Sequence, residues 1–217
     1  MKLHRNEVCP CGSGVKYKKC CYPDRVKNAE IVRAAARATS WVELRAILST
    51  PVPVYRLKIA LIQMKGMIIE EEVSRTLDIE GNKTLYDLHL AIQKAFQWDN
   101  DHMFSFYTGG KLFDRAHEYS GTPLGDLLIS GIGPPAKSAA ETQIRDLQLH
   151  QTSNMLYLFD FGDELVHEVT VECIHDNKSD MTLPTVISAV GTPPPQYEYV
   201  DCPLGAELEI QLIDHDF

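Results

Sequence analysis

Four of the six cysteines lie within thirteen residues near the start of the chain, as Cys9, Cys11, Cys20 and Cys21. The first two are separated by one residue and the last two are adjacent. Reducing cytosol does not maintain a disulfide framework, so a tight cysteine cluster in an intracellular chain indicates a metal site. Four thiolates complete the tetrahedral coordination of Zn²⁺ and leave no open position for a substrate. We therefore predict one structural zinc ion within residues 1–24.

The segment between the two cysteine pairs contains Gly12, Ser13 and Gly14, and glycine tolerates the positive φ of a sharp reversal. Few large apolar residues accompany it. Their burial, at roughly 1.5–3 kcal/mol each, cannot offset a backbone entropy cost of roughly 1–2 kcal/mol per residue. A structural zinc ion contributes roughly 10–16 kcal/mol. Metal binding and folding of this segment are therefore predicted to be coupled.

Three lysines, Lys16, Lys18 and Lys19, alternate around Tyr17. A basic patch with an interleaved aromatic ring can bind phosphates and stack a nucleic-acid base. The same patch can equally contact an acidic protein face. A protein, a ribonucleoprotein and a nucleic acid therefore all remain candidate partners.

The segment from Arg5 to Cys21 resembles the SEC-C zinc motif, which is named for the C-terminus of the SecA translocation ATPase. The last metal ligand of that motif is usually histidine, and Cys21 occupies its position here. In SecA the motif faces outward, toward a chaperone and ribosomes. The resemblance therefore implies a binding role and not a catalytic one.

Charge is distributed unevenly along the 217 residues, whose formal net charge is −9. Residues 1–50 contain 10 Lys and Arg against 4 Asp and Glu, which predicts a basic head on an acidic body. The 44% hydrophobic and 24% charged fractions exclude a disordered or collagen-like chain. No apolar run approaches the roughly 20 residues that cross a bilayer, and the start lacks the apolar core of a secretion signal. A cytoplasmic protein with no membrane partner is expected.

Two helices are predicted to connect the zinc module to the body. Asp24 caps the first, whose apolar stripe begins with Val26, Ala29, Ile31 and Val32. The segment from Ser40 to Glu43 has the pattern of a capping box and opens the second. Its apolar face comprises Trp41, Leu44, Ile47 and Leu48.

The body alternates between strand and helix patterns. We predict a hairpin of strands 54–63 and 68–77 that turns at Lys65-Gly66, a helix capped by Thr84, and strands at 103–107, 155–161, 165–174 and 207–213. This order predicts the α+β class: a mixed β-sheet with one main packed helix, of the β-grasp or ubiquitin-like type. A small zinc knuckle and two connector helices precede it. The predicted domains are 1–24, 25–50 and 51–217.

From about Val54 to Pro195 the body resembles the plasmid pRiA open-reading-frame-three-like proteins. The resemblance rests on residues 55–59, 84–89, 98–106 and 157–163, together with His167. Family members usually end in a segment with two prolines, two acids and flanking cysteines. Residues 191–197 keep the prolines and lack the acids and the cysteines.

The body also contains a set of residues that can bind a metal through oxygen and nitrogen or perform acid–base chemistry: Asp99, His102, Asp160, Asp163 and His167. The alternative interpretation is structural. The aspartates then bond backbone N–H groups in turns, and His167 lies in the core, bonded to Asp160 or Asp163. Phosphate-loop, dinucleotide and hydrolase motifs are absent from the sequence, and four arginines in the body are too few for a resolvase.

Three hypotheses follow. The first is a zinc-binding, non-enzymatic interaction protein whose basic module contacts an acidic protein or ribonucleoprotein. The second is a metal-dependent or acid–base enzyme built on the Asp and His set of the body. The third is a nucleic-acid-associated accessory of a mobile element.

Overall fold

The structure, a computed structural model, describes residues 1–122, 135–176 and 182–197. Within these ranges the chain forms three α-helices and eight β-strands. Their bounds are α1 Arg25–Arg37, α2 Trp41–Ser49, β1 Pro53–Met64, β2 Met67–Glu80, α3 Leu85–Phe96, β3 Phe104–Tyr107, β4 Glu118–Ser120, β5 Lys137–Ser138, β6 Asn154–Phe159, β7 Leu165–Asp176 and β8 Thr185–Val190. No helix among the described residues is long and apolar enough to cross a membrane.

The strands form one sheet in the order β5-β4-β3-β6-β7-β1-β2-β8. All neighbours are antiparallel except β4 and β5, which are parallel. The predicted hairpin is confirmed: Lys65 and Gly66 both have positive φ, as a tight two-residue turn requires. The three helices and the single eight-stranded sheet confirm the mixed α+β class, while the β-grasp assignment stays a prediction. The strand predicted at 207–213 lies outside the described residues.

Helix α3 covers one face of the sheet. Thr84 and Asp87 form a complete capping box at its start, as the Thr84 hydroxyl accepts from the Asp87 N–H and the Asp87 carboxylate accepts from the Thr84 N–H. The large apolar side chains of the helix and those of β1 share one core. This core includes Leu88, Ile92 and Phe96 of α3 and Leu57, Ile59 and Leu61 of β1.

The buried face of α1 differs from the predicted stripe. Val26 and Val32 are 72% and 53% exposed, whereas Ile31, Ala34 and Ala35 are buried. Asp24 caps the helix as predicted. The alanine face of α1 is the buried one because its small side chains allow α2 to approach closely, which the bulkier valines would not.

The predicted face of α2 is confirmed, with Leu44 fully buried and Trp41 packed beside it. The capping box is only half right. The Ser40 hydroxyl accepts from the Glu43 N–H, but the Glu43 carboxylate accepts from the N–H and hydroxyl of Thr39 and not from Ser40. Glu43 thus fixes the turn before the helix.

An ion pair lies on the sheet between β1 and β2. Arg56 donates from Nε and Nη2 to the two carboxylate oxygens of Asp78 at 2.8 and 2.9 Å, and the Asp78 side chain is fully buried. Burial raises the pKa of Asp78, but the Arg56 guanidinium outweighs it, so the pKa is lower than usual. Nearby, Lys58 pairs with Glu72 at 2.7 Å in a far more exposed position.

These two pairs give a matched test. Arg56→Met should lower the free energy of unfolding by about 3 kcal/mol, because it leaves the Asp78 carboxylate buried without its main partner. Lys58→Met removes an exposed pair and should cost less than about 1 kcal/mol. Urea denaturation of both variants measures the difference, and equal losses would contradict the interpretation.

Candidate metal centre

The four predicted cysteines converge on one point. Their sulfur atoms all lie within 4.8 Å of one another. Cys11 Sγ is 3.6 Å from Cys20 Sγ, which is 3.7 Å from Cys21 Sγ. A tetrahedral Zn²⁺ with Zn–S bonds of about 2.3 Å requires sulfur separations of about 3.8 Å. The separations are far too long for a disulfide, so the arrangement fits a metal ion of this size.

Local backbone geometry places the two cysteine pairs opposite each other. The Cys9 N–H donates to the carbonyl of Val15 at 2.7 Å, and Gly12 and Gly14 take positive φ between them. A single 3-10 turn, Tyr17–Lys19, then delivers Cys20 and Cys21. All four sulfur atoms are therefore positioned by one short reversal of the chain.

The thiols differ in acidity because their surroundings differ. Burial raises the pKa of both Cys9 and Cys21. The Ser13 hydroxyl, the largest influence on Cys11, lowers the pKa of that thiol to about 6. Ser13 Oγ also lies 3.2 Å from Cys20 Sγ. Metal binding must therefore displace protons from the two buried thiols, while Ser13 supports the exposed side of the cluster.

Sequence reasoning did not single out Ser13 as a partner of the thiols. The signal that could have found it is a hydroxyl residue flanked by two glycines inside the loop that joins the cysteine pairs.

Tyr17 is not available to stack a base, which corrects one prediction. It is only 3% exposed and packs with Cys9, Cys21 and Ile31 of α1. Its hydroxyl donates to the side-chain oxygen of Asn28, also on α1. Burial of Tyr17 is therefore one of the contacts that attach the module to the connector, beside the N-terminal ammonium group, which donates to the carbonyls of Ala35 and Ala38.

The module keeps an accessible basic surface. Lys16, Lys18 and Lys19 are exposed, and none has a carboxylate within ion-pair distance among the residues described. The exposed aromatic ring is Tyr22, and the Arg5 guanidinium lies over it at 4.4 Å. Arg5, Tyr22 and the three lysines are called the basic surface below.

The Asp and His set of the body does not form one site. Within the part of the chain that the structure describes, the four cysteines are the only group of three or more Cys, His, Asp or Glu whose ligand atoms converge. His102 Nε2 lies 3.5 Å from Asp160 and 3.6 Å from Asp101. The backbone of Asp99 is bonded by the side chain of Gln196.

Asp160 and Asp163 have the predicted turn chemistry. The Asp160 carboxylate accepts from the N–H groups of Gly162 and Asp163 at 2.9 and 3.3 Å. Asp163 in turn lies 3.8 Å from the ammonium group of Lys65 in the β1–β2 turn. Asp160 thus closes its own turn, and Asp163 joins that turn to the β1–β2 turn.

His167 is fully buried on the core face of β7, as predicted, but the expected bond to Asp160 or Asp163 is absent. Neither ring nitrogen makes a hydrogen bond within the described residues. Phe96 and Trp98 lie edge-on to the ring, with centroids 5.1 and 5.4 Å away. Burial lowers the pKa of His167 to about 3, opposed by smaller effects of the backbone.

His89 of α3 is fully buried in the core. Its ring stacks on Phe104 at 3.7 Å, and its two nitrogens lie 2.7 Å from the Tyr157 hydroxyl and 2.6 Å from the Asn100 side-chain oxygen. Gln93 also donates to the Tyr157 hydroxyl. The core therefore holds a small polar network in which His89, unlike His167, has partners.

The chain thus combines a mixed α+β sheet domain with a cluster of four cysteines near its start whose sulfur atoms could hold a metal ion. The model described as plasmid pRiA4b ORF-3-like protein matches residues 53–201, more than half of the chain, so the protein belongs to this family. The SEC-C motif model matches residues 5–23.

One solved structure supports the fold alone. The crystal structure of a protein of unknown function from Methanosarcina mazei Go1 is 23% identical, with a TM-score of 0.52. The match covers 68% of this chain and 74% of that one. No curated protein gives a match.

Zinc content should depend on the four thiolates. Cys9→Ser should lose most of the bound zinc, because it removes a fully buried ligand from the centre of the cluster. Cys173→Ser changes a cysteine on β7 and is the matched control, which should retain one equivalent. Elemental analysis of the purified proteins measures both, and equal zinc in wild type and Cys9→Ser would eliminate the four-thiolate site.

His167 should make the fold sensitive to acid. The unfolded chain binds a proton near pH 6.5 and the folded chain only near pH 3, so stability falls between these values as pH decreases. The slope is about 1.4 kcal/mol per pH unit for one proton. In His167→Phe, urea denaturation from pH 6 to pH 4 should show that slope reduced. His4→Phe, at an exposed position, is the control, and an unchanged slope in His167→Phe would refute the assignment.

Proposed function

We propose that the protein is a zinc-binding, non-enzymatic interaction protein. The observation that carries this proposal is the convergence of four cysteine sulfurs within 4.8 Å inside a segment that matches the SEC-C motif. Thiolate ligands in a closed tetrahedral set favour Zn²⁺ and leave no position for a substrate. In this proposal the ion has a structural role: it stabilises a small zinc knuckle, which carries the basic surface.

The basic surface is the proposed contact with the partner. Its three lysines are exposed and unpaired among the described residues, so their charge is available to an acidic face. The Arg5–Tyr22 stack adds a planar cation and an aromatic edge to the same module. We infer that the partner is an acidic protein or a ribonucleoprotein, met in the cytoplasm.

The body supplies a second surface in this proposal. We propose a division into a zinc module (1–24), a connector (25–50) and a β-grasp-like body (51–217); the family matches to residues 5–23 and 53–201 and the order of the elements support it. The enzyme alternative has less support, because His167 is buried away from solvent and the Asp and His set does not gather three ligands among the described residues.

The basic surface can be tested by charge removal in the full-length protein. A triple variant, Lys16→Gln, Lys18→Gln and Lys19→Gln, should lose most of the partner recovered by co-purification, because it removes three unpaired charges and leaves the cysteines intact. The matched control is Lys94→Gln, Lys111→Gln and Lys137→Gln, which removes three exposed charges from the body. Quantitative mass spectrometry of the co-purified proteins measures the loss.

Two further arms separate the outcomes. Nuclease treatment that abolishes recovery, together with a steep salt dependence, would assign the contact to nucleic acid. Unchanged recovery with both the lysine variant and the zinc-free Cys9→Ser protein would overturn the proposal.

A further inference from the structure

A cavity of about 340 Å³ lies between helix α1 and the body. Arg25 and Arg33 line it from α1, and Asn82, Lys83 and Gln143 line it from the body. Pockets of about 300–1,000 Å³ are typical of small-molecule sites. Neither the zinc module nor the Asp and His set of the body contributes a residue to this cavity, so it is independent of the function proposed above.

The cavity is lined by cations that lack strong partners. Neither Arg25 nor Arg33 has a carboxylate within ion-pair distance among the described residues, and Lys83 lies 3.8 Å from Glu80. Asp87 also lines the cavity, but one of its oxygens is engaged by the backbone and hydroxyl of Thr84 in the capping box. The remaining acid in the lining is Glu30.

Positive charge extends beyond the cavity wall. Burial is the largest influence that lowers the pKa of Arg145; repulsion by Arg37 and Arg33 lowers it further, and attraction to Glu30 and Asp146 opposes them. Arg145 donates to the Gln143 side-chain oxygen, which fixes Gln143 at the cavity wall. Arg145 therefore adds a partly buried guanidinium beside Gln143 at the cavity wall.

Asn82 provides an unused polar group. Its side-chain oxygen is buried and makes no hydrogen bond within the described chain, while its backbone carbonyl accepts from Gln143 at 2.7 Å. A buried acceptor without a partner is unfavourable, and a ligand that donates to it would remove that cost. Because the oxygen has no partner within the described chain, the amide could rotate toward such a ligand without breaking a bond at this atom.

We propose that this cavity binds a small phosphomonoester. Guanidinium groups match the geometry of a phosphate in a bidentate manner, and Arg25, Arg33 and Lys83 together supply the charge to neutralise it. Glu30 and the Asn82 oxygen accept from hydroxyl groups of the ligand, which distinguishes a phosphate ester from a bare anion. The ligand would contact both the connector and the body.

Calorimetric titration of the full-length protein tests the proposal. Inorganic phosphate, ribose 5-phosphate and AMP are the probes, and adenosine is the uncharged control. We expect saturable binding of at least one ester, tighter than inorganic phosphate, and no binding of adenosine. Arg33→Gln and Lys83→Gln should each weaken binding by roughly 10- to 100-fold, since each removes a charge-assisted hydrogen bond.

Arg45→Gln is the matched control, because it removes the same charge from an exposed position on α2, outside the cavity. It should leave the affinity unchanged, and thermal melting should show that all variants are folded. Failure of all three phosphate probes to saturate, or equal affinity in wild type and Arg33→Gln, would overturn the proposal. Tighter binding of a ten-nucleotide single-stranded RNA with the same Arg33 dependence would overturn it in favour of a polynucleotide.

Discussion

One helix must cover one face of a wide sheet, and much of the body depends on that burial. The apolar side chains of α3 and of the central strand β1 form a single core with β2, β6 and β7. Burial at about 25 cal/mol per Å² of apolar surface is the main stabilising contribution. The Thr84–Asp87 capping box fixes where α3 begins, and the residues just before its first turn form one wall of the cavity under α1.

The sheet also buries polar side chains, which differ in how the cost of their burial is compensated. His89 reaches Tyr157 and Asn100, so its desolvation is partly compensated. His167 finds only aromatic rings and stays neutral at ordinary pH. On the opposite face of the sheet, Asp78 is also buried and remains ionised because Arg56 is beside it. The sheet thus tolerates buried ionisable residues by three different means: hydrogen bonding, loss of charge and ion pairing.

Sequence patterns predicted the parts of the fold that depend on local periodicity or local chemistry. The β1–β2 hairpin, the caps by Asp24 and Thr84 and the four converging cysteines all belong to this class. Strands β4 and β5, of three and two residues, are too short to show a period and were not predicted. Strand β8 has six residues but no alternation of polar and apolar side chains, so it was not predicted either.

Apart from the local exchange of Thr39 for Ser40 as the partner of Glu43, the errors depend on neighbours distant in sequence. Val26 and Val32 are exposed because α2 packs on the alanine side of α1. Tyr17 is buried because Ile31 and Asn28 meet it from another element. The register of β7 against β6 decides that His167 faces Phe96 and not the turn at Asp160. The spacing of residues along the chain carries no information about such contacts.

The two parts of the chain differ in how far apart their contacts are in sequence. All four cysteines lie within one short segment, so the loop that the metal closes is small and its entropic cost is low. In the body, Val54 of β1 pairs with His175 of β7, more than 100 residues later. During synthesis from the N-terminus, all four cysteines are therefore available to one another while β1 still lacks its β7 partner on one side. Contact order favours early folding of the cysteine segment and late closure of the sheet at β7.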